Sequence, residues 1–191
     1  MKKIGISQQL SFDGHNALME IIDSSWGRLL NELQVIPLYL PIYYDFQTLQ
    51  IDGVILTGGG DLHAISQKKE DKIRDEFEIS LIKFGVAKSI PIFGVCRGMQ
   101  MINNYFGGNL KKVEGHAGCR HLLSNGVEVN SYHDYAIDKL GDGLEIIDIC
   151  NDVVESVRHL RHKIFAQMSH PEREKPFLPR DTDFLRAFFD A

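Results

Sequence analysis

Cys96 stands in the stretch Gly94-Val95-Cys96-Arg97-Gly98-Met99-Gln100, with PIF before it and MINNYFGG after it. A cysteine in a core packs as a small hydrophobe and needs no glycine neighbours. Here Gly94 and Gly98 flank it where an apolar strand-like run gives way to a helix-like one. Small flanking residues permit a sharp, close-packed turn, which is the steric logic of a nucleophile elbow with sulfur in place of oxygen. A thiol at a helix start also feels the positive end of the dipole, which favours the thiolate. The five residues by themselves fit a buried cysteine in a glycine-rich turn about as well.

A thiolate nucleophile needs a proton shuttle, and the chain holds eight histidines. His170 stands out because it lies in Ser169-His170-Pro171-Glu172 after the strand-like IFAQM. Proline fixes its own φ and biases the residue before it toward extended backbone, so His170 and Glu172 are expected to project to one side. That geometry lets a carboxylate orient an imidazole, with Cys96 as nucleophile, His170 as general base and acid, and Glu172 fixing the tautomer. Alone, His-Pro-Glu reads as a surface turn; beside the Cys96 elbow the balance tips toward chemistry. A third feature, Thr57-Gly58-Gly59-Gly60-Asp61, ends the apolar run GVILT. It lacks the spacing of phosphate and dinucleotide loops. Its bare N–H groups, with that of Arg97, suit a developing oxyanion, although alone it reads as a plain turn.

Other polar residues point to less. His63, His116 and His121 lack paired ligand spacing, so 116–121 is expected to be a polar loop and no metal or cofactor is expected. Cys96, Cys119 and Cys150 are widely spaced and odd in number, which fits neither a disulfide framework nor a CxxC site. The charged run 67–76 reads as a solvated helix start and face.

These groups need a scaffold, and 191 residues with 43% hydrophobic and 25% charged side chains suffice for one α/β domain over 1–191. A formal net charge of −5 argues against nucleic acid or an anionic membrane as partner and favours small molecules. MKKIGIS lacks the apolar stretch of a secretory signal, and no run approaches the ~18 residues of a span, so a cytoplasmic protein is expected. Strand-like runs at 2–7, VIPLYLP, GVILT and PIFGV alternate with helical spacing over 16–33 and from Ile73 to Phe84. That alternation predicts right-handed βαβ units and a mainly parallel sheet with helices on both faces, its ligands at the carboxyl ends of the strands. In the second half VEVNSY, LEIIDIC, VESVRHL and KIFAQMS are shorter and separated by turn residues, which predicts antiparallel additions before a last helix near 182–189.

GVCRGMQ, with HPE downstream and TGGGD upstream, resembles the class I glutamine amidotransferase-like superfamily. The longer string GVCRGMQMINNYFGGNL is most similar to its γ-glutamyl hydrolase branch, the peptidase C26 group, and the resemblance runs through nearly the whole chain. It implies a flavodoxin-like fold and cleavage of γ-glutamyl amides through a cysteinyl thioester. Cys96, His170 and Glu172 match the family's triad, and Gly59 or Gly60 with Arg97 its oxyanion hole. Gln100 matches the glutamine of the glutamyl pocket. Asn130-Ser131-Tyr132-His133 matches the segment beside that pocket, where main-chain groups near Ser131 and Tyr132 would meet the α-carboxylate. Ser169 replaces the usual bulky residue before HPE, and the chain is short, which implies trimmed loops and a different leaving group. Its overall appearance is similar to members that act on γ-glutamyl-CDP-amidate in capsule phosphoramidate synthesis. A nucleotide amidate would call for basic and aromatic groups at the cleft mouth, for which Arg28, Trp26 and His133 are candidates, with Arg97 also toward the variable end. The implied enzyme needs no partner protein, though a homodimer is compatible. One rival is a glutaminase subunit that delivers ammonia to a partner synthase; Arg97, where such subunits commonly carry leucine, speaks against it. The other is a non-enzymatic binding or redox-sensing module with Cys96 as reactive thiol.

Overall fold

A computed structural model describes residues 1–190. Its strands are β1 (Lys3–Ile6), β2 (Gln9–Phe12), β3 (Leu18–Ile21), β4 (Ile36–Tyr39), β5 (Gly53–Leu56), β6 (Ile92–Val95), β7 (Asn109–Lys112), β8 (Ala117–Leu122), β9 (Glu128–Tyr132), β10 (Tyr135–Lys139), β11 (Leu144–Cys150), β12 (Val153–His159) and β13 (Ile164–Gln167). The helices are α1 (Ser25–Glu32), α2 (His63–Ser66), α3 (Lys69–Lys88), α4 (Arg97–Tyr105) and α5 (Pro179–Asp190).

Seven strands form the central sheet in the order β11-β12-β13-β6-β5-β1-β4. The block from β13 to β4 is parallel, and β12 and β11 extend it antiparallel, as the change of pattern in the second half predicts. GVIL and IFGV are buried at every position, the mark of parallel strands covered on both faces. Leu56, Leu81, Met99 and Ile102 pack on one side of the sheet under α3 and α4. Ile4, Ile6, Leu29, Phe93, Leu185 and Phe189 pack on the other under α1 and α5. Among the described residues no helix is long and apolar enough to cross a membrane.

Three local expectations are corrected. Residues 16–33 are not one helix: β3 pairs antiparallel with β2, and only α1 is helical. The Asp13 carboxylate accepts the N–H groups of His15 and Ala17, each at 2.8 Å, and Asn16 takes φ +64°, closing a hairpin turn that spends Leu18 and Ile21 on a strand. The segment 116–121 is not a polar loop, because β8 runs through it and pairs with β9. The run 67–76 is not simply solvated: Asp71 and Arg74 are buried, and so is Glu78 one turn further along α3.

Candidate active site

The carboxyl ends of β5, β6 and β13 lie side by side in the sheet, and each delivers one of the features picked out in the sequence. At the end of β6 the chain turns into α4 through Cys96, whose φ of 52° and ψ of −106° lie outside the regions a side chain prefers. Such backbone costs of order 1–3 kcal/mol and persists only where the surroundings over-determine it. Two glycines do so. A Cβ on Gly98 would lie 2.2 Å from the Leu56 carbonyl oxygen, and one on Gly94 would lie 2.9 Å from the Gly98 backbone. The Cys96 N–H donates to the Gln167 carbonyl at 2.8 Å, tying the elbow to β13.

His170 follows β13 and is held by Asn130 of β9. The His170 N–H donates to Asn130 Oδ1 at 2.8 Å, and Asn130 Nδ2 donates to the His170 carbonyl at 2.9 Å and to Glu174 at 2.8 Å. Pro171 to Arg173 form a 3-10 turn rather than the extended segment expected, because the Arg173 N–H closes back on the His170 carbonyl. The turn still brings Glu172 Oε1 to 2.7 Å from His170 Nδ1. That bond leaves Nε2 as the second ring nitrogen, which has no aligned hydrogen bond among the described residues, and the imidazole and Cys96 meet across Gly58, where an added Cβ would lie 2.7 Å from His170 Cε1 and 3.4 Å from Cys96 Cβ. Burial pulls the His170 pKa down, but the Cys96 sulfur and then the Glu172 carboxylate more than offset it and raise it to about 9. The Tyr132 ring stands edge-on to the imidazole at 5.5 Å.

The glycine loop after β5 closes the third side. Gly58 packs against the imidazole, since a Cβ there would lie 2.7 Å from His170 Cε1. Gly59 and Gly60 take φ of +87° and +71°, a region that favours glycine. Arg74 gathers the loop from below, donating to the carbonyls of Gly59 at 2.6 Å, Thr57 at 2.7 Å and Gly58 at 3.2 Å. Glu78 in turn accepts from Arg74 at 2.9 Å, from Ser7 at 2.8 Å and from Arg97, while Asp75 pairs with Arg97. Burial opposes the Glu78 charge, yet the two guanidinium groups hold its carboxyl below the ordinary range; burial and then Arg97 lower the Arg74 pKa to about 10. This network went unread in the sequence, where Arg74 and Glu78 are two charges among many. The only cue is their spacing of four along a charged helix start.

The remaining predicted residues divide. Arg97 keeps its N–H at the elbow, but its side chain is buried against Asp75 and Glu78 and does not reach a leaving group. Gln100 is buried and donates to the Tyr135 carbonyl at 2.9 Å; the Ser131 hydroxyl donates to the His116 carbonyl. Trp26 is buried in the core, although it borders a small cavity of about 30 Å³ with Gln9, Gly59, His170 and Arg173. Arg28 is exposed over the Phe177 ring, and His133 is buried facing Glu155. Tyr132 and Arg173 instead stand at the cleft, the guanidinium 4.9 Å from the ring centroid. A larger cavity of about 250 Å³ is lined by Phe165, Phe184, Arg180 and Asp181, and none of Cys96, His170 and Glu172 reaches it.

The peptidase C26 family model matches residues 3–122 and 112–172. The chain is 33% identical to γ-glutamyl-CDP-amidate hydrolase of Campylobacter jejuni over 90% of both chains. It is 35% identical to the carbamoyl phosphate synthase small chain of Fusobacterium nucleatum, over 72% of this chain but 38% of that one. A glutamine amidotransferase from Thermotoga maritima superposes with a TM-score of 0.68 at 14% identity, covering 99% of this chain and 84% of that one, which shows the shared fold. The chain therefore belongs to the peptidase C26 family and is a glutamine amidotransferase-like hydrolase of carbon–nitrogen bonds.

Proposed function

We propose that this chain, working as one domain, hydrolyses a γ-glutamyl amide through a thioester on Cys96. The observation that carries the reading is the buried His170, its pKa raised, paired with Glu172 near a cysteine held at a strained elbow. The Cys96 thiolate attacks the γ-carbonyl carbon, the C–N bond breaks, and the His170 imidazolium gives its proton to the departing nitrogen. Water then attacks the thioester, its proton passes to His170, and glutamate leaves as the thiolate returns. The N–H groups of Gly59, Gly60 and Arg97 stabilise the oxyanion at each stage. The cavity beside His170 and Gly59, at about 30 Å³, has room for that water but not for a glutamyl chain.

The glutamyl end rests on the main chain near Ser131 and Tyr132 and on the wall that Gln100 supports, while Asn130 and His133 position rather than touch it. The best-supported substrate is γ-glutamyl-CDP-amidate, giving glutamate and cytidine diphosphoramidate for a capsule phosphoramidate group. Two things support it: the similarity to the Campylobacter jejuni hydrolase spans 90% of both chains, and Tyr132 with Arg173, whose guanidinium is also paired with Asp23 at 3.0 Å, puts an aromatic ring and a partly neutralised cation where a nucleotide diphosphate would leave. The test is a panel of glutamine, γ-glutamyl-γ-aminobutyrate and γ-glutamyl-CDP-amidate, comparing kcat/KM, with mass spectrometry under turnover. A γ-glutamyl adduct on Cys96 that is absent in Cys96→Ala is required. Rapid glutamine hydrolysis that appears only when a synthase is added would replace this reading with ammonia delivery.

A further inference from the structure

Behind the cleft, three imidazoles and one carboxylate meet in a cluster that supplies no substrate contact or proton transfer to the proposed reaction. His116 immediately precedes β8, His121 lies within it, His133 follows β9, and Glu155 sits in the middle of β12. His116 Nδ1 is 3.1 Å from Glu155 Oε1, His133 Nε2 is 3.4 Å from the same oxygen, and His121 Nε2 is 3.4 Å from Oε2. The donor atoms of His116, His121 and Glu155 all lie within 4.8 Å of one another. The side chains of His133 and Glu155 are 1% exposed, that of His116 8% and that of His121 12%.

Separations this short would ordinarily mean hydrogen bonds, but none is aligned: all three nitrogens and both carboxylate oxygens lack a hydrogen-bond partner among the described residues. Five buried polar atoms converging without bonding to each other are costly unless something between them satisfies all of them. A metal ion does. Ligands about 2.0–2.1 Å from a tetrahedral zinc ion are separated by roughly 3.3–3.4 Å, close to the three imidazole–carboxylate separations of 3.1, 3.4 and 3.4 Å. The outer nitrogen of His133 agrees, since Nδ1 lies 3.2 Å from the Tyr135 carbonyl. That contact makes Nδ1 the N–H donor and leaves the Nε2 lone pair for a metal.

We propose that His116, His121, His133 and Glu155 bind one zinc ion as a structural site. Three imidazoles and a carboxylate suit zinc among the abundant divalent ions, and four protein ligands leave no open position for chemistry. The cavity that Glu155 lines, about 250 Å³, is the entry path. The ion joins β8, β9 and β12, and through them it positions the cleft without touching substrate. The Ser131 hydroxyl and the His133 N–H both donate to the His116 carbonyl, and the Met168 N–H donates to the Glu155 carbonyl at 2.8 Å. The site therefore fixes the strand carrying Asn130 to Tyr132 and the segment leading into His170. It stands whether or not the proposed reaction is correct.

The experiment measures zinc by mass spectrometry in the full chain purified from zinc-supplemented cells and dialysed. The variants are Cys96→Ala, His121→Ala and Glu155→Gln, and the metal-free wild type is titrated with cobalt(II). One zinc per chain is expected in the wild type and in Cys96→Ala, with affinity falling at least roughly tenfold to 100-fold in the other two. Cobalt should give the intense visible bands of a tetrahedral site without a thiolate charge-transfer band. A chelator should lower the wild-type Tm, and zinc but not magnesium should restore it, a readout that holds even if His121→Ala fails to fold. Zinc lost in Cys96→Ala but kept in His121→Ala would place the ion at the elbow and overturn the proposal. So would substoichiometric zinc together with no cobalt spectrum and a chelator-insensitive Tm.

Discussion

Gly98→Ala and Gly27→Ala are the same chemical change in two helices, and the structure assigns them opposite signs. Gly27 lies on the exposed side of α1, where an added Cβ meets nothing within 4 Å. There alanine simply gains helix propensity, about 0.5–1 kcal/mol, or roughly 1–4 °C in Tm for a chain of this size. Gly98 has the same propensity to gain in α4, but its Cβ would stand 2.2 Å from the Leu56 oxygen, 2.8 Å from its carbonyl carbon and 2.9 Å from its Cβ. The first two are backbone atoms of a buried strand and cannot rotate away, so α4 must move from β5 by about 0.8 Å to restore a 3.0 Å contact. Met99, Met101 and Ile102 are fully buried and move with it. Overpacking of this kind costs up to about 3 kcal/mol, which leaves a net loss of about 2 kcal/mol and a Tm roughly 4–8 °C below wild type. The same shift carries Cys96 and the Arg97 N–H, and a displacement near 1 Å costs turnover about 100-fold. Thermal unfolding by circular dichroism and turnover of a γ-glutamyl substrate read both effects. A Gly98→Ala protein as stable as Gly27→Ala, with turnover intact, would refute the close approach on which the elbow depends.

Three further outcomes follow from the same buried contacts. Glu78→Gln leaves the Arg74 and Arg97 guanidinium groups short of a buried counter-charge and should cost about 3–5 kcal/mol in urea unfolding; a loss below about 1 kcal/mol would mean that Asp75 and Asp71 suffice. The His170 pKa of about 9 lies above its ordinary 6.5, so its imidazolium stabilises the fold fully below about pH 6.5 and that contribution fades as pH rises through about 9. It amounts to at most about 3 kcal/mol and should shrink in Glu172→Gln, so parallel stability–pH curves for the two proteins would contradict the assignment. Asn130→Ala removes both bonds to the His170 backbone and should lower kcat far more than it changes KM, with about 1–3 kcal/mol lost in stability; a change in KM alone would make Asn130 a substrate contact instead.

The parallel block was legible because strands buried on both faces are continuous apolar runs, and GVIL and IFGV have no other reading as convincing. The β2–β3 hairpin was not legible: Leu18, Ile21, Ile22, Trp26, Leu29 and Leu30 fit a helical period until the Asp13 turn commits the first of them to a strand. The elbow was legible in its glycines, whereas the loop clamp was not, since the partners of Arg74 lie 15 to 17 residues upstream.

By itself the sequence determined which short segments can do chemistry, because a strained turn, a proline-fixed His-Pro-Glu and a run of glycines are properties of a few consecutive residues. Only the tertiary structure decided which charges are buried and which histidines meet. Arg74, Arg97 and Glu78 converge under the glycine loop, and His116, His121 and His133 converge on Glu155, across elements that are distant along the chain. The reason is physical: local backbone preference acts over a few residues, while burial and convergence depend on how the sheet orders its strands.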